Sequence, residues 1–369
     1  MKLYVFGSSL TSSYWNGAAT YYRGIYKNLD NLGYDITFAE PDIYNRQQHR
    51  DCRSIEYAEV RVYHTPRDLD KVLVEAQAAD LIIKHSGVGA DDELLEARVL
   101  EGRCGDARVA FWDVDAPATL AKVEASPQDP FRQLIPAYDF VFTYGGGQAV
   151  VEHYRKLGAQ NCFPVYNALD PDTHFPVEPD ERYACDLAFI GNRMPDREAR
   201  VEEFFFAAAA EAPECRFLLG GEGWGSKSMP QNVRWIGHVA TSRHNVINCS
   251  ARMILNINRE SMAQVGFSPP TRIFEAAGAA ACVITDAWQG VSTFFEPERE
   301  ILIACGAKDL VGYLRELGGK DSKAMGAAMR TRALRDHSYR LRAKQVDSIL
   351  RQPTRSPVEV SAPLVYSAP

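Results

Sequence analysis

Glu275 is the one charged side chain in an otherwise small and apolar run, Ile273-Phe274-Glu275-Ala276-Ala277-Gly278-Ala279-Ala280-Ala281. Arg272 stands three positions before it, and Ser268-Pro269-Pro270 precedes both. Ser268 can cap a helix and the two prolines suit its first turn, so a helix is predicted over about 271–281. Its small residues let the backbone pack close to a neighbour. Two chemistries are open to the carboxylate. It can face water and pair with Arg272 at i, i+3, worth only about 0.2–0.5 kcal/mol. Or it can accept hydrogen bonds from the vicinal hydroxyls of a ribose, as an acidic residue does in dinucleotide folds. In the second case the free N–H groups of the helix start and the Arg272 guanidinium would hold a diphosphate one turn earlier.

Other residues stand where chemistry needs them. Asp113-Val114-Asp115 ends a predicted strand, and side chains two apart on a strand share a face. Both carboxylates are candidates for a general base or for acceptor contacts; as a D-x-D pair they could instead hold a divalent ion on a diphosphate. His85, with Lys84 and Ser86, lies at the C-terminal end of another predicted strand, where parallel sheets open their ligand crevice. A hydrogen-bonded structural histidine is the competing reading. Gly191-Asn192-Arg193 follows a strand and precedes a helix, which places a cation beside a helix start. Gly145-Gly146-Gly147 joins a strand to a helix and permits close backbone approach to a ligand, or is simply a tight turn. Eight cysteines and eight histidines show no C-x-x-C or H-x-x-x-H spacing, so no metal site is expected.

The segment Thr271-Arg-Ile-Phe-Glu-Ala-Ala-Gly-Ala-Ala-Ala-Cys-Val-Ile-Thr-Asp286 resembles the Glu-Ala helix of GT-B glycosyltransferases. Asn256-Ile-Asn-Arg259, Arg272-Ile-Phe-Glu-Ala276 and the element from Phe295 to Glu300 together resemble the CgeB-like family. The broader retaining families carry a second Glu eight positions before the first; here that position is Phe267. The resemblance is specific over about 186–305. It implies that Glu275 binds a nucleotide ribose, that Arg193 grips the diphosphate and that the backbone at Gly237-His238 reads the base. It also implies that Gly17 approaches the donor phosphate or sugar, and that a last helix crosses back to the first domain. Gly191, Asn192, Arg193, Gly237, His238, Arg272 and Glu275 with Gly17 are thus the expected nucleotide-sugar site. Asp115, Asp113 and His85 are the catalytic candidates. The implied activity is metal-independent transfer of a sugar from a nucleotide diphosphate sugar, the donor substrate and not a bound cofactor, to a saccharide, glycoside or protein acceptor. A sugar-nucleotide epimerase and a non-catalytic nucleotide-binding coat or scaffold protein are the alternatives on the same scaffold.

The elements that must position these residues alternate strand and helix throughout, the pattern of α/β domains with parallel sheets. The length of 369 residues favours two domains over one. Prolines 171, 176 and 179, interleaved with acids, mark the linker. The expected division is an acceptor-side Rossmann-like domain over 1–167, a nucleotide-sugar domain over 168–338, and a C-terminal helix with a disordered tail over 339–369. The two domains would face each other across a cleft, the GT-B arrangement. The first strand, glycine loop and helix lack the G-x-G-x-x-G fingerprint, so dinucleotide binding is not expected. A net charge of −7 offers no general attraction to nucleic acid. No apolar run spans a bilayer, and Met1–Gly7 is too short for a signal peptide, so a cytoplasmic location is expected.

Overall fold

The computed structural model describes residues 1–52 and 54–352. Of the expected C-terminal helix and tail over 339–369, residues 353–369 lie outside them. Seven strands form one all-parallel sheet: β1 (Lys2–Phe6), β2 (Asp35–Pro41), β3 (Glu59–Tyr63), β4 (Leu81–His85), β5 (Arg108–Asp113), β6 (Phe140–Thr143) and β7 (Cys162–Pro164), in the order β3-β2-β1-β4-β5-β6-β7. Six more form a second parallel sheet: β8 (Cys185–Ile190), β9 (Phe217–Gly220), β10 (Val233–Trp235), β11 (Ala251–Asn256), β12 (Val283–Asp286) and β13 (Leu302–Ala304), in the order β10-β9-β8-β11-β12-β13. The expected two-domain α/β architecture is therefore present.

Alternation along each strand explains why both sheets are covered on both faces. In β1, Tyr4 and Phe6 join one apolar cluster while Leu3 and Val5 join the other. In β8, Leu187 and Phe189 point one way and Ala188 the other. Helices fill both sides, because a parallel pair needs a crossover connection. Each large side chain so buried contributes about 1.5–3 kcal/mol, an upper figure because unfolded chains already bury some surface.

The helix carrying Glu275 runs Thr271–Gly278, shorter than expected. Ser268 does not cap it: its hydroxyl donates to the Gly266 carbonyl (2.9 Å), and Pro270 occupies the cap position. The turn at 266–268 is instead shaped by contact with the first domain. Phe267 has φ +44°, and its carbonyl accepts from the Gly146 N–H at 3.0 Å. A Cβ on Gly145 would lie 2.6 Å from Ser268 Oγ, and one on Gly147 would lie 2.8 Å from the Phe267 ring. The three glycines thus serve a close domain–domain approach. The helix expected after Arg193 begins at Pro195, runs to Glu211 and contains a π-helical turn over Glu202–Phe206.

The last basic segment is two helices, Gly319–Asp336 and Tyr339–Leu350. The first packs on the second sheet's domain. The second returns to the first domain and lies along the helix Ala19–Asp30. Tyr34 donates to Asp347 (2.7 Å) and Arg108 to the Leu350 carbonyl (2.7 Å) there. The two chain crossings run side by side: Leu169 N–H donates to His337 O (2.8 Å) and Tyr339 N–H to Leu169 O (3.0 Å). No helix among the described residues is long and apolar enough to cross a membrane.

Candidate functional site

Two guanidinium groups converge beside Gly191, at the C-terminal end of β8. A Cβ on Gly191 would lie 3.0 Å from Arg197 Nη2 and 3.1 Å from Arg272 Nη2, so only a residue without one leaves them room. Both cations stand over the Phe189 ring, at 5.6 and 5.4 Å from its centroid. Arg272 is fixed by donation to Ile190 O (2.5 Å) and to Asn256 Oδ1 (3.1 Å). Asn256 is itself held by Thr285 Oγ1 at 3.0 Å, so the Asn256 of the sequence motif serves to aim Arg272. Arg197 donates to Asn192 O (2.6 Å), and its Nε is buried without a partner.

Among the described residues neither cation has a carboxylate within ion-pair distance. Burial, and then the neighbouring charges of Arg272 and Arg259, press Arg197 down to about 9. Burial also lowers Arg272. Asp196, Glu275 and Asp286 act on the pair only from beyond contact distance, so two buried like charges remain costly to the empty protein, and an anion in contact reduces that cost.

One turn along the same helix lies Glu275, itself buried. Burial alone would raise its carboxyl, but His174, His244 and Arg272 outweigh this and hold it at about 2. It is ionised at any working pH. His174 Nε2 is 3.9 Å from Oε1 and His244 Nδ1 is 3.4 Å from Oε2. The bland reading, a solvated Glu275 paired with Arg272, does not describe this carboxylate.

The remaining expected residues fall into two groups. Gly191 and Asn192 sit at the guanidinium pair, and Asn192 Oδ1 accepts from the Glu222 N–H (3.0 Å). Gly237, in the left-handed region at φ +71°, follows β10, and its carbonyl accepts from Gly221 N–H (2.7 Å); a Cβ on Gly221 would in turn strike Gly191 O. These three glycines therefore lie together at the ends of β8, β9 and β10. His238 beside them is exposed. Arg193 directs its guanidinium to Glu198 (2.6 Å), which balances its charge, and to Ser226 and the Gly223 carbonyl. Gly17 is exposed, with open space around its Cα, just before the helix Ala19–Asp30.

His85 is enclosed in the first domain. Its Nε2 meets Tyr26 OH at 2.5 Å, and burial, then the neighbouring Lys84, press it down to about 3. Lys84 is likewise buried and paired with Asp92 and Glu96. Asp113 is fully buried and accepts from Tyr154 OH (2.5 Å), Ser86 Oγ (2.8 Å), the Asp115 N–H (2.9 Å) and Thr119 Oγ1 (3.0 Å). Burial raises it, and those donors work against the rise. Asp115 alone of the three keeps a partly exposed carboxylate. It pairs with Arg259 of the other domain at 2.8 Å, while Arg259 also holds Asp196 at 2.9 Å. Asp115 Oδ1 is left without a partner.

Arg197, His174, His244 and the role of Arg259 were not foreseen. Arg197 lies inside a helix whose start alone is marked in the sequence, and Arg259 carries only the motif Asn256-Ile-Asn-Arg259. His174 lies in the proline-rich linker, where spacing carries no signal.

Residues 197–348 match a family model described as "Glycosyl transferase-like". No curated protein matches the chain in sequence. Solved structures match across nearly its whole length. Sucrose-phosphate synthase from Thermosynechococcus elongatus superposes with a TM-score of 0.69 at 14% identity, covering 95% of this chain and 98% of that one. HepE from Anabaena, in complex with UDP-glucose, gives 0.66 at 12% identity, over 95% and 99%. The T4 phage enzyme BGT, in complex with its UDP-glucose substrate, gives 0.61 at 12%, over 95% and 98%. The chain has the GT-B glycosyltransferase fold, and its second domain is glycosyl transferase-like in sequence.

Proposed function

We propose that this chain is a glycosyltransferase that moves a sugar from a nucleotide diphosphate sugar to an acceptor hydroxyl. The observation that carries this is the buried Arg197–Arg272 pair beside Gly191, with no carboxylate in direct contact with either, one helical turn from the ionised Glu275. That spacing suits one nucleotide: diphosphate on the two guanidinium groups, ribose hydroxyls donating to Glu275, and base near Gly237-His238. The cations would neutralise charge developing on the departing diphosphate, the task a divalent ion performs in D-x-D enzymes, so transfer would be metal-independent. Their preorganisation in a low-dielectric site makes them effective there. Asp115, which borders the second domain, is the candidate general base, and Asp113 orients it through the Asp115 N–H. The acceptor, a saccharide, glycoside or protein, would lie on the first domain's side. The finer assignment to the CgeB-like family rests on its three short motifs. A cytoplasmic location is supported by eight cysteines that are all free thiols.

The test is a thermal-shift screen against UDP, GDP, dTDP and CMP sugars with and without divalent ions, followed by product analysis. The proposal expects one donor to raise Tm with concentration, by mass action. It also expects sugar to appear on an added acceptor without metal. Conversion of the donor sugar with no acceptor present would indicate an epimerase. Binding with neither transfer nor hydrolysis would indicate a non-catalytic role.

A further inference from the structure

His174, His244 and Glu275 come from the linker, from the start of the helix His244–Ser250 and from the helix Thr271–Gly278. One ligand-competent atom from each lies within 4.8 Å of the other two. The arrangement around His174 has a particular consequence. Its Nδ1 meets Thr173 Oγ1 at 3.0 Å, while that hydroxyl already donates its only hydrogen to Asp170 O at 3.1 Å. With the hydroxyl hydrogen on Asp170 O, Nδ1 donates to Thr173 Oγ1, the tautomer that leaves a lone pair on Nε2. Nε2 is buried, has no hydrogen-bond partner, and faces the Glu275 carboxylate at 3.9 Å. In that neutral tautomer the two groups face each other as acceptors, and His174 itself is only 2% exposed. A cation between them satisfies both.

We infer that His174, His244 and Glu275 form a binding site for a single zinc-class transition-metal ion. Two imidazoles and one carboxylate are a zinc donor set, with a fourth position open to water, and they disfavour Mg²⁺ and Ca²⁺, which prefer oxygen. Metal–ligand bonds of about 2.0–2.2 Å require the three groups to close by roughly 1 Å or less. The Thr173 hydroxyl behind His174 is the kind of outer contact that fixes a ligating tautomer. The ion would occupy the carboxylate that the donor ribose is proposed to use, so metal and donor would exclude each other; this second part rests on the ribose reading.

The test is isothermal titration of ZnCl₂, and separately MgCl₂, into the metal-stripped full chain and into His174→Asn and His244→Gln variants. Circular dichroism and Tm would confirm that both remain folded; His244 is the more exposed and the safer of the two. Substitution with Co²⁺ reports whether ligands are nitrogen and oxygen or cysteine thiolate. The expected result is one zinc per chain with nitrogen and oxygen ligands, at least tenfold weaker in each variant, and no Mg²⁺ binding. Zinc affinity unchanged in both variants, or a thiolate spectrum, would overturn the site. Nucleoside diphosphate titrations with and without saturating zinc then test exclusion. Zinc held by these three residues without weakening the nucleotide would overturn the exclusion, and would count against the ribose role of Glu275 while leaving the metal site standing.

Discussion

Replacing Arg197 by methionine separates binding from folding. In the empty protein Arg197 gains a charge-assisted hydrogen bond to Asn192 O, worth about 1.5–3 kcal/mol, and a contact with the Phe189 face worth about 0.5–2 kcal/mol. Against these stand an unpaired buried Nε, costing about 1–3 kcal/mol, and repulsion from Arg272 and Arg259 that Asp196 and Asp286 partly offset. The terms nearly cancel, and methionine fills most of the volume. Arg197→Met should therefore leave Tm close to wild type. The diphosphate loses a charge-assisted contact of about 1.5–3 kcal/mol, so affinity should fall roughly 10- to 150-fold. The assay is isothermal titration with the nucleoside diphosphate found by thermal shift, and with inorganic pyrophosphate, which is blind to the base. Undiminished affinity for both in a folded variant would refute the diphosphate role. A large fall in Tm with no change in affinity would make Arg197 a structural residue.

Glu275→Gln should weaken nucleoside diphosphate binding by a few kcal/mol at most while leaving pyrophosphate affinity nearly unchanged, because only the ribose contact is altered; equal losses for both ligands would contradict this. Its stability should also depend on pH. The Glu275 carboxyl titrates near 4.5 when unfolded and near 2 when folded, so its contribution is fully present above about 4.5 and is lost as pH falls toward 2. The Tm gap between wild type and Glu275→Gln should therefore shrink between pH 6 and pH 3. Asp115→Asn breaks the ion pair to Arg259 across the domains; sugar transfer should fall by about 10²- to 10⁴-fold if Asp115 is the base, with donor affinity retained. Gly145→Ala forces the 266–268 turn away from the first domain and should cost about 1–3 kcal/mol, read as a lower Tm.

The fold was legible because its signals are local. The strand ends expected at His85, at Asp113 and just before Gly191 fall where β4, β5 and β8 end. Glu275 and Arg272 stood out because a charge in a small-residue helix needs a partner. Arg193 and Arg197 could not be told apart in this way. Both follow Gly191, and only the tertiary structure sends one to Glu198 and the other toward Arg272. Ser268 read as a cap because local rules assign caps, but contact with the first domain claims that turn. His174 and His244 are far from Glu275 in sequence, and no spacing rule joins a linker residue to a helix start. Asp113 and His85 sit at strand ends, where ligands bind, but both are buried inside the first domain, Asp113 among four donors and His85 against Tyr26.

The most direct measurement is a crystal structure with the nucleoside diphosphate bound. The account predicts a phosphate oxygen within about 3 Å of both the Arg197 and Arg272 guanidinium groups, beside Gly191, and the ribose hydroxyls within about 3 Å of the Glu275 carboxylate. A nucleotide lodged elsewhere, with those three side chains left as they stand in the empty protein, would contradict it.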